Sequence, residues 1–186
     1  MAEKNKTSLA NYNNNNYFPG KNVIVRGLWY FTNILFFINP LNPFSKLKVL
    51  ILRLFGAKVG KGSVIKPAVN IKYPWKLEIG NHVWIGENVW IDNLAKVVIG
   101  NNCCISQNVL LLTGNHNYKK SSFDLITGSI QLEEGVWIGA RSVVAPNVIC
   151  LSHSVLTGGS FLSSNMEAYH IYRGNPAIKI KERIIE

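Results

Sequence analysis

At 186 residues the chain is long enough for one domain with a small appendage. Its residues are 47% hydrophobic and 16% charged, which excludes a disordered chain, because apolar surface is plentiful and charge is sparse. The net charge of +10 admits an anionic membrane surface or a phosphorylated small molecule as partner. It does not fit a uniformly basic nucleic-acid binder, since residues 1–62 hold nine Lys or Arg against one acid and the remainder is close to neutral.

Residues 1–20, with the run Asn11-Tyr12-Asn13-Asn14-Asn15-Asn16-Tyr17, are expected to form a disordered tail, and this polar start does not resemble a secretory signal. Residues 21–56 read as a helical cap. Val23–Phe37 and Pro43–Phe55 are expected to be two short helices, separated by Asn39-Pro40-Leu41-Asn42-Pro43. Their mixture of aromatic, aliphatic and basic residues fits two roles, covering the open end of the following domain and touching an anionic lipid surface peripherally. The apolar run Leu28–Ile38 is eleven residues long, too short to span a bilayer.

Residues 57–162 carry a six-residue period. Aliphatic residues recur at Ile79, Ile85 and Ile91, continue with Val97, and resume at Ile99, Ile105 and Leu111. The spacing returns at Ile138, Val144, Cys150 and Leu156, after a weaker run of Val59, Ile65 and Ile71. A second series stands two residues earlier, at Val83, Val89, Ala95, Cys103, Val109, Val136, Ser142, Val148 and Ser154. Positions i and i−2 share one face of a strand, so both series point inward together. Gly follows many of the aliphatic residues and Asn recurs three positions past them, as sharp corners require. A helix would smear a six-residue period around its 3.6-residue turn. The pattern is that of a solenoid of short strands, in which stacked coils bury what a single coil cannot.

The repeat breaks between Thr113 and Ile130, where residues 113–130 form a loop insert that holds His116. A long loop in a regular scaffold is where function concentrates. Trp84, Trp90 and Trp137 each precede an inward Ile and should point outward, toward a subunit interface, a sugar or a cofactor groove. Cys103 and Cys150 fall on inward positions and Cys104 on an outward one; three cysteines so spaced suit a reducing compartment rather than a disulfide scaffold or a zinc site. His82, His153 and His170 are scattered, at corners or in the tail, which leaves a zinc-dependent carbonic anhydrase of this fold without its ligand set. Residues 163–186 are expected to be a C-terminal tail outside the repeat.

Several stretches together resemble the hexapeptide-repeat acyltransferases, and among them the colanic acid biosynthesis acetyltransferases. They are Trp90-Ile91-Asp92-Asn93-Leu94-Ala95, Cys103-Cys104-Ile105-Ser106-Gln107, Thr113-Gly114-Asn115-His116, Ser122-Phe123-Asp124-Leu125-Ile126-Thr127, Val136-Trp137-Ile138-Gly139-Ala140 and the closing Gly174-Asn175-Pro176-Ala177. The resemblance implies a left-handed parallel β-helix, assembled as a homotrimer with each active site between neighbouring subunits. It also implies acetyl-CoA as co-substrate, no metal, and a sugar or glycan acceptor in polysaccharide (exopolysaccharide or capsule) biosynthesis. The setting would be cytoplasmic, with possible siting at the inner face of the membrane.

By the same resemblance His116 is the general base, a role that suits a side chain titrating near operating pH. Asp92, Asn93, Asn117 and Asp124 are candidates for binding the acceptor, and Asp92, Asn93 or Asp124 for orienting His116. Turning the chain at a corner is the structural alternative for Asp92 and Asn93. Trp137, Gly139, Ala140 and Gly158 would line the pantetheine groove, with Pro176 and Lys181 near the adenine and its 3′-phosphate. The chain departs from the family in reading Leu162-Ser163-Ser164-Asn165-Met166-Glu167 where relatives carry a phosphate-binding Lys. Arg173, Lys179 and Arg183 are candidates to replace that cation. Two other readings stay open at this level, N-acylation of an amino sugar and a catalytically silent trimeric scaffold.

Overall fold

The computed structural model describes residues 5–186, and the six-residue period becomes a parallel β-solenoid with three faces. The first face stacks Lys58–Val59, Leu77–Ile79, Val97–Ile99, Ile130–Leu132 and Ile149–Cys150. The second stacks Val64–Ile65, Trp84–Ile85, Cys104–Ile105, Trp137–Ile138 and Val155–Leu156. The third stacks Asn70–Ile71, Trp90–Asp92, Leu110–Leu112, Val143–Val144 and Phe161–Leu162. Register sets like on like, so that Ile85, Ile105, Ile138 and Leu156 form one buried column and Ile71, Ile91, Leu111 and Val144 another. The second inward series is buried as its spacing predicts, except at Ala95, which is only half-buried.

Ala95 departs because the coil is longer there. Three hexapeptides make an 18-residue coil, as between the partners Leu132 and Cys150. Partners lie 20 residues apart at Ile71, Ile91 and Leu111, and 33 apart at Ile99 and Leu132. Every extra residue falls at the corner between the third face and the first. Two residues are added after Ile71, two after Ile91, and the long insert after Leu111. Val97 therefore takes the inward place that Ala95 would have held.

Helix α1, Val23–Thr32, continues as a wider π-helical turn over Asn33–Ile38, and α2 covers Ser45–Leu54. Asn22 caps α1 by accepting from the Val25 amide, while Asn39 and Asn42 turn the chain between helices by accepting from Leu41 and Phe44. The pair covers the first coil and supplies hydrogen bonds to its unpaired edge. The Trp29 indole donates to the Ile71 carbonyl, Ser45 accepts from the Ile65 amide, and Arg53 donates to the carbonyls of Val59 and Gly60. Lys48, fully buried, donates to the Lys66 carbonyl at 2.8 Å.

Burial pulls the Lys48 ammonium down from its ordinary 10.5 to about 8. Between those two values the unfolded chain holds this proton and the folded one does not, so stability rises with pH across that window. Lys48→Met should therefore be the more stable protein near pH 7, by on the order of 1–3 kcal/mol, and the difference should close toward pH 10. Thermal melts of both proteins at several pH values check this; parallel pH profiles would show that Lys48 is not the source.

Two segments differ from expectation. Residues 7–20 are not a free tail but run along the solenoid, with Ser8 donating its amide to the Ser121 carbonyl, Tyr17 its hydroxyl to the Leu94 carbonyl, and Pro19 accepting from the Trp75 indole. Interspersed aromatic residues give this Asn-rich strap the apolar anchors that its composition hides. Expectations for residues 1–4 lie outside the described residues. The C-terminal tail, though outside the period, extends the solenoid. His170–Gly174 adds a parallel strand to the second face beside Val155–Leu156, and Ala177–Glu182 folds back on it, antiparallel. Met166, Tyr172 and Ala177 are buried there and close the core.

Candidate active site

The lengthened corner is a ladder of polar side chains that the coils share. Asn93 is wholly buried; its carboxamide accepts from the Tyr73 amide at 2.9 Å and donates to the Tyr73 carbonyl at 2.6 Å. One coil further, the buried Thr113 hydroxyl donates to the Asp92 carbonyl at 2.8 Å and accepts from the Ala95 amide at 2.9 Å. Asn93 is thus spent on the corner and has no surface to offer an acceptor, which corrects its assignment as a binding or orienting residue. Asp92 stands beside it, 8% exposed, with the Lys72 ammonium 3.1 Å from Oδ1 and its Oδ2 close to Gly114 at the foot of the insert.

From this ladder the insert projects as a hairpin. Gly114–His116 pairs antiparallel with Leu125–Thr127, and the Gly128 amide closes the base on the Thr113 carbonyl. Asn117 donates its amide to the Asp124 carbonyl and accepts from the Lys119 amide through its side chain. Phe123 adopts a positive φ of 53°, next to the pairing of Leu125 with His116. The Phe123 carbonyl lies 2.8 Å from His116 Nδ1, and its ring stacks on the imidazole with centroids 4.5 Å apart and planes at 7°. A carbonyl only accepts, so Nδ1 carries the proton and Nε2 of the neutral ring keeps its lone pair.

Asp124 does not orient the imidazole. Its carboxylate accepts from Lys120 Nζ at 2.8 Å and from the Ser122 hydroxyl at 2.6 Å, and those bonds hold it below the usual carboxylate range. Orientation comes instead from a backbone oxygen, which no residue type in the sequence announces. The strap, expected to be disordered, supplies the other missed groups. The Tyr12 ring stands 5.8 Å from the imidazole, and Lys76 ties the strap to the corner by donating to the carbonyls of Phe18 and Leu94 and to the Tyr17 hydroxyl. Burial raises the Tyr17 phenol and lowers Lys76 from their ordinary values. A cleft of about 180 Å³ between strap and hairpin is lined by Asn13, Asn14, Asn16, Tyr17 and Asp124, and a wider one of about 400 Å³ by Tyr17, Trp75, Lys76 and Leu94.

The residues expected to hold a cofactor lie elsewhere on the prism. Trp137 is outward on the second face, 46% exposed, and donates its indole N–H to the Ser106 hydroxyl at 2.9 Å. Ala140 and the exposed Gly158 sit at the corner between the second and third faces, with Pro176 and Lys181 exposed on the hairpin that extends the second face. Along the same side a groove of about 300 Å³ is lined by Trp84, Cys104, Ser106 and Gln107. Gly139 differs from its neighbours, being buried with its amide spent on the Leu156 carbonyl at 2.7 Å, so it packs coils and lines no groove.

Within one chain, then, the structure groups Trp137, Ala140, Gly158, Pro176 and Lys181 on one side, and places His116, Asn117, Asp124 and Asp92 at a different edge. Of the candidate replacement cations, Lys179 is paired with Glu167 at 2.9 Å, and Arg183 donates to the carbonyls of Gly135 and His153. Arg173 remains exposed. Of the altered segment, Leu162 ends the third face, while Asn165 accepts from the Ile149 amide and Met166 bridges to Cys150 on the first. Among the described residues no three His, Cys, Asp or Glu side chains gather where they could hold a metal ion.

No family model matches the chain. It is 35% identical over 167 residues to the Escherichia coli protein named colanic acid biosynthesis acetyltransferase WcaF, covering 90% of this chain and 92% of that one. It is 29% identical over 141 residues to the Escherichia coli galactoside O-acetyltransferase, covering 74% and 69%. The fold matches that of a hexapeptide-repeat acetyltransferase from Vibrio cholerae solved with acetyl coenzyme A, at TM-score 0.78 and 20% identity, over 87% of this chain and 88% of that one. With its period, its corner hairpin and its identity to a relative matched almost end to end, the chain belongs to the hexapeptide-repeat acetyltransferases.

Proposed function

We propose that the protein moves an acetyl group from acetyl-CoA to a sugar hydroxyl in polysaccharide (exopolysaccharide or capsule) biosynthesis, by direct attack with His116 as general base. The observation that carries this is the Nδ1–Phe123 carbonyl contact, which leaves Nε2 as the free base at the last pair of the projecting hairpin's ladder. Nε2 takes the proton as the hydroxyl oxygen bonds to the thioester carbon. The tetrahedral intermediate then collapses, the carbon–sulfur bond breaks, and the imidazolium returns the proton to the departing thiolate. The developing oxyanion is held by backbone amides at the coil corners.

The acceptor lies in the cleft between strap and hairpin, where Asn13, Asn14 and Asp124 offer groups that bond sugar hydroxyls, with Asn117 next to His116 in the hairpin. The donor's pantetheine arm lies along Trp137, Ala140 and Gly158, with Pro176 and Lys181 toward the adenine. These two sets occupy different edges of one prism, an arrangement that suits a homotrimer in which one subunit's His116 faces its neighbour's donor groove. Acetyl-CoA and three unpaired cysteines point to a cytoplasmic setting. The test is thiol release from acetyl-CoA over a panel of sugars, amino sugars and lipid-linked oligosaccharides. Turnover that requires a sugar hydroxyl supports the reading. Acetylation confined to amino sugars would convert it to N-acyl transfer, and absence of both turnover and CoA binding would favour a silent scaffold.

A further inference from the structure

The helical cap turns outward the kind of surface that a soluble helix normally turns inward. Along residues 23–38 the inward stripe is Trp29, Asn33 and Phe37, all buried. On the opposite side Ile24, Leu28, Phe31 and Leu35 are 59–69% exposed. The patch runs on through Leu41 and Phe44 in the connection, 86% and 67% exposed. Contiguous apolar surface of this kind marks a binding face.

Charge says what binds it. Between Glu3 and Glu78 the sequence has no Asp or Glu but twelve Lys or Arg. Lys21 and Lys46, both exposed, stand just ahead of α1 and at the start of α2. Beside α1 a cavity of about 340 Å³ is lined by Arg26, Tyr30, Lys72 and Trp90, and Arg26 Nε is buried there with no hydrogen-bond partner among the described residues. Tyr30 and Trp90, amphipathic aromatics, suit the water–lipid boundary. A second copy of the chain is a poorer occupant, because contact through this face would bring the same basic surface against itself. No described helix is long and apolar enough to cross a membrane, so the face would lie on a bilayer rather than through it.

We infer that the outward face of α1 and its π-helical extension is a peripheral docking surface for an anionic lipid bilayer, with Leu28, Phe31 and Leu35 entering the headgroup–acyl boundary under a collar of Lys and Arg. This stands apart from the acceptor reading and would hold even for a silent scaffold. If the acceptor is carried on lipid, the surface delivers the hairpin to it at the inner face of the membrane.

The experiment is flotation of the full chain with vesicles of phosphatidylcholine alone and with one quarter phosphatidylglycerol. Wild type should float with the anionic vesicles, and salt should release it. Lys21→Gln/Lys46→Gln should lower partitioning by roughly fivefold per cation removed. Phe31→Glu/Leu35→Glu should abolish flotation, with molar mass by light scattering unchanged; Leu28→Ser/Phe31→Ser, without new charge, should weaken it in the same direction. Failure of wild type to float, or equal flotation with neutral vesicles, overturns the proposal. So does a fall in molar mass in the Phe31→Glu/Leu35→Glu protein with flotation intact, which would assign the face to a subunit contact.

Discussion

Replacing His116 by Ala should lower acetyl-transfer turnover by about 10²–10⁴-fold while the protein still binds CoA. The imidazole is half-buried at the end of the hairpin's ladder, outside the solenoid core, and its removal opens no cavity there. The hairpin keeps its backbone ladder and the Lys120–Asp124–Ser122 contacts, so the loop stays folded. What is lost is the ring on the hairpin whose Nε2 is presented as an acceptor. The fall belongs in kcat, because proton removal contributes in the transition state rather than in binding acetyl-CoA. Steady-state kinetics beside calorimetric titration with CoA separates the two. Equal turnover in both proteins would remove His116 from the mechanism and send the search to another base near the strap.

Much of this could be read from the chain, and the unread part has a common physical origin. The aliphatic columns were visible because stacking coils demand the same residue class at the same step, which prints a period on the sequence. The corner insert was visible as a break in that period. At the break itself the period carries no information, since an irregular segment is shaped by contacts distant in sequence. Asn93 and Asp92 interrupt the apolar pattern equally, yet one is consumed by the Tyr73 backbone and the other lies beside the hairpin. Asp124, the obvious partner for a histidine, is taken by Lys120, and a main-chain oxygen does the orienting. The strap was missed for a related reason. Composition reads Asn11–Tyr17 as solvated, but Tyr12, Tyr17 and the following Pro19 dock one after another on the insert, the corner and Trp75. Tyrosines spaced at the two ends of an Asn run were the available signal. Gly139 illustrates the reverse error, in which a motif glycine is credited to the ligand when the neighbouring coil already requires it.

Gly139→Ala should destabilise the fold by about 2–4 kcal/mol, an effect of coil packing rather than of cofactor contact. A Cβ at this position would meet the Gly158 nitrogen at 2.4 Å, the Leu156 oxygen at 2.7 Å and the Thr157 carbonyl carbon at 2.8 Å. All three are backbone atoms of the next coil, which cannot rotate aside as a side chain could. The coils must separate, and the hydrogen bonds that join them here, from the Trp137 amide to Ser154 and from the Gly139 amide to Leu156, lengthen with them. At this chain length the thermal midpoint should fall by roughly 4–16 °C. Gly158→Ala is the matched control. Its Cβ would lie 3.1 Å from the Ala140 carbonyl oxygen, close enough to need only a small shift, and Gly158 is exposed on the proposed donor side. The control should melt near wild type but raise the KM for acetyl-CoA, because the added methyl stands where the pantetheine arm would pass. If instead Gly139→Ala melts like wild type and changes only the KM, Gly139 belongs to the donor groove after all, and the packing account of this corner fails.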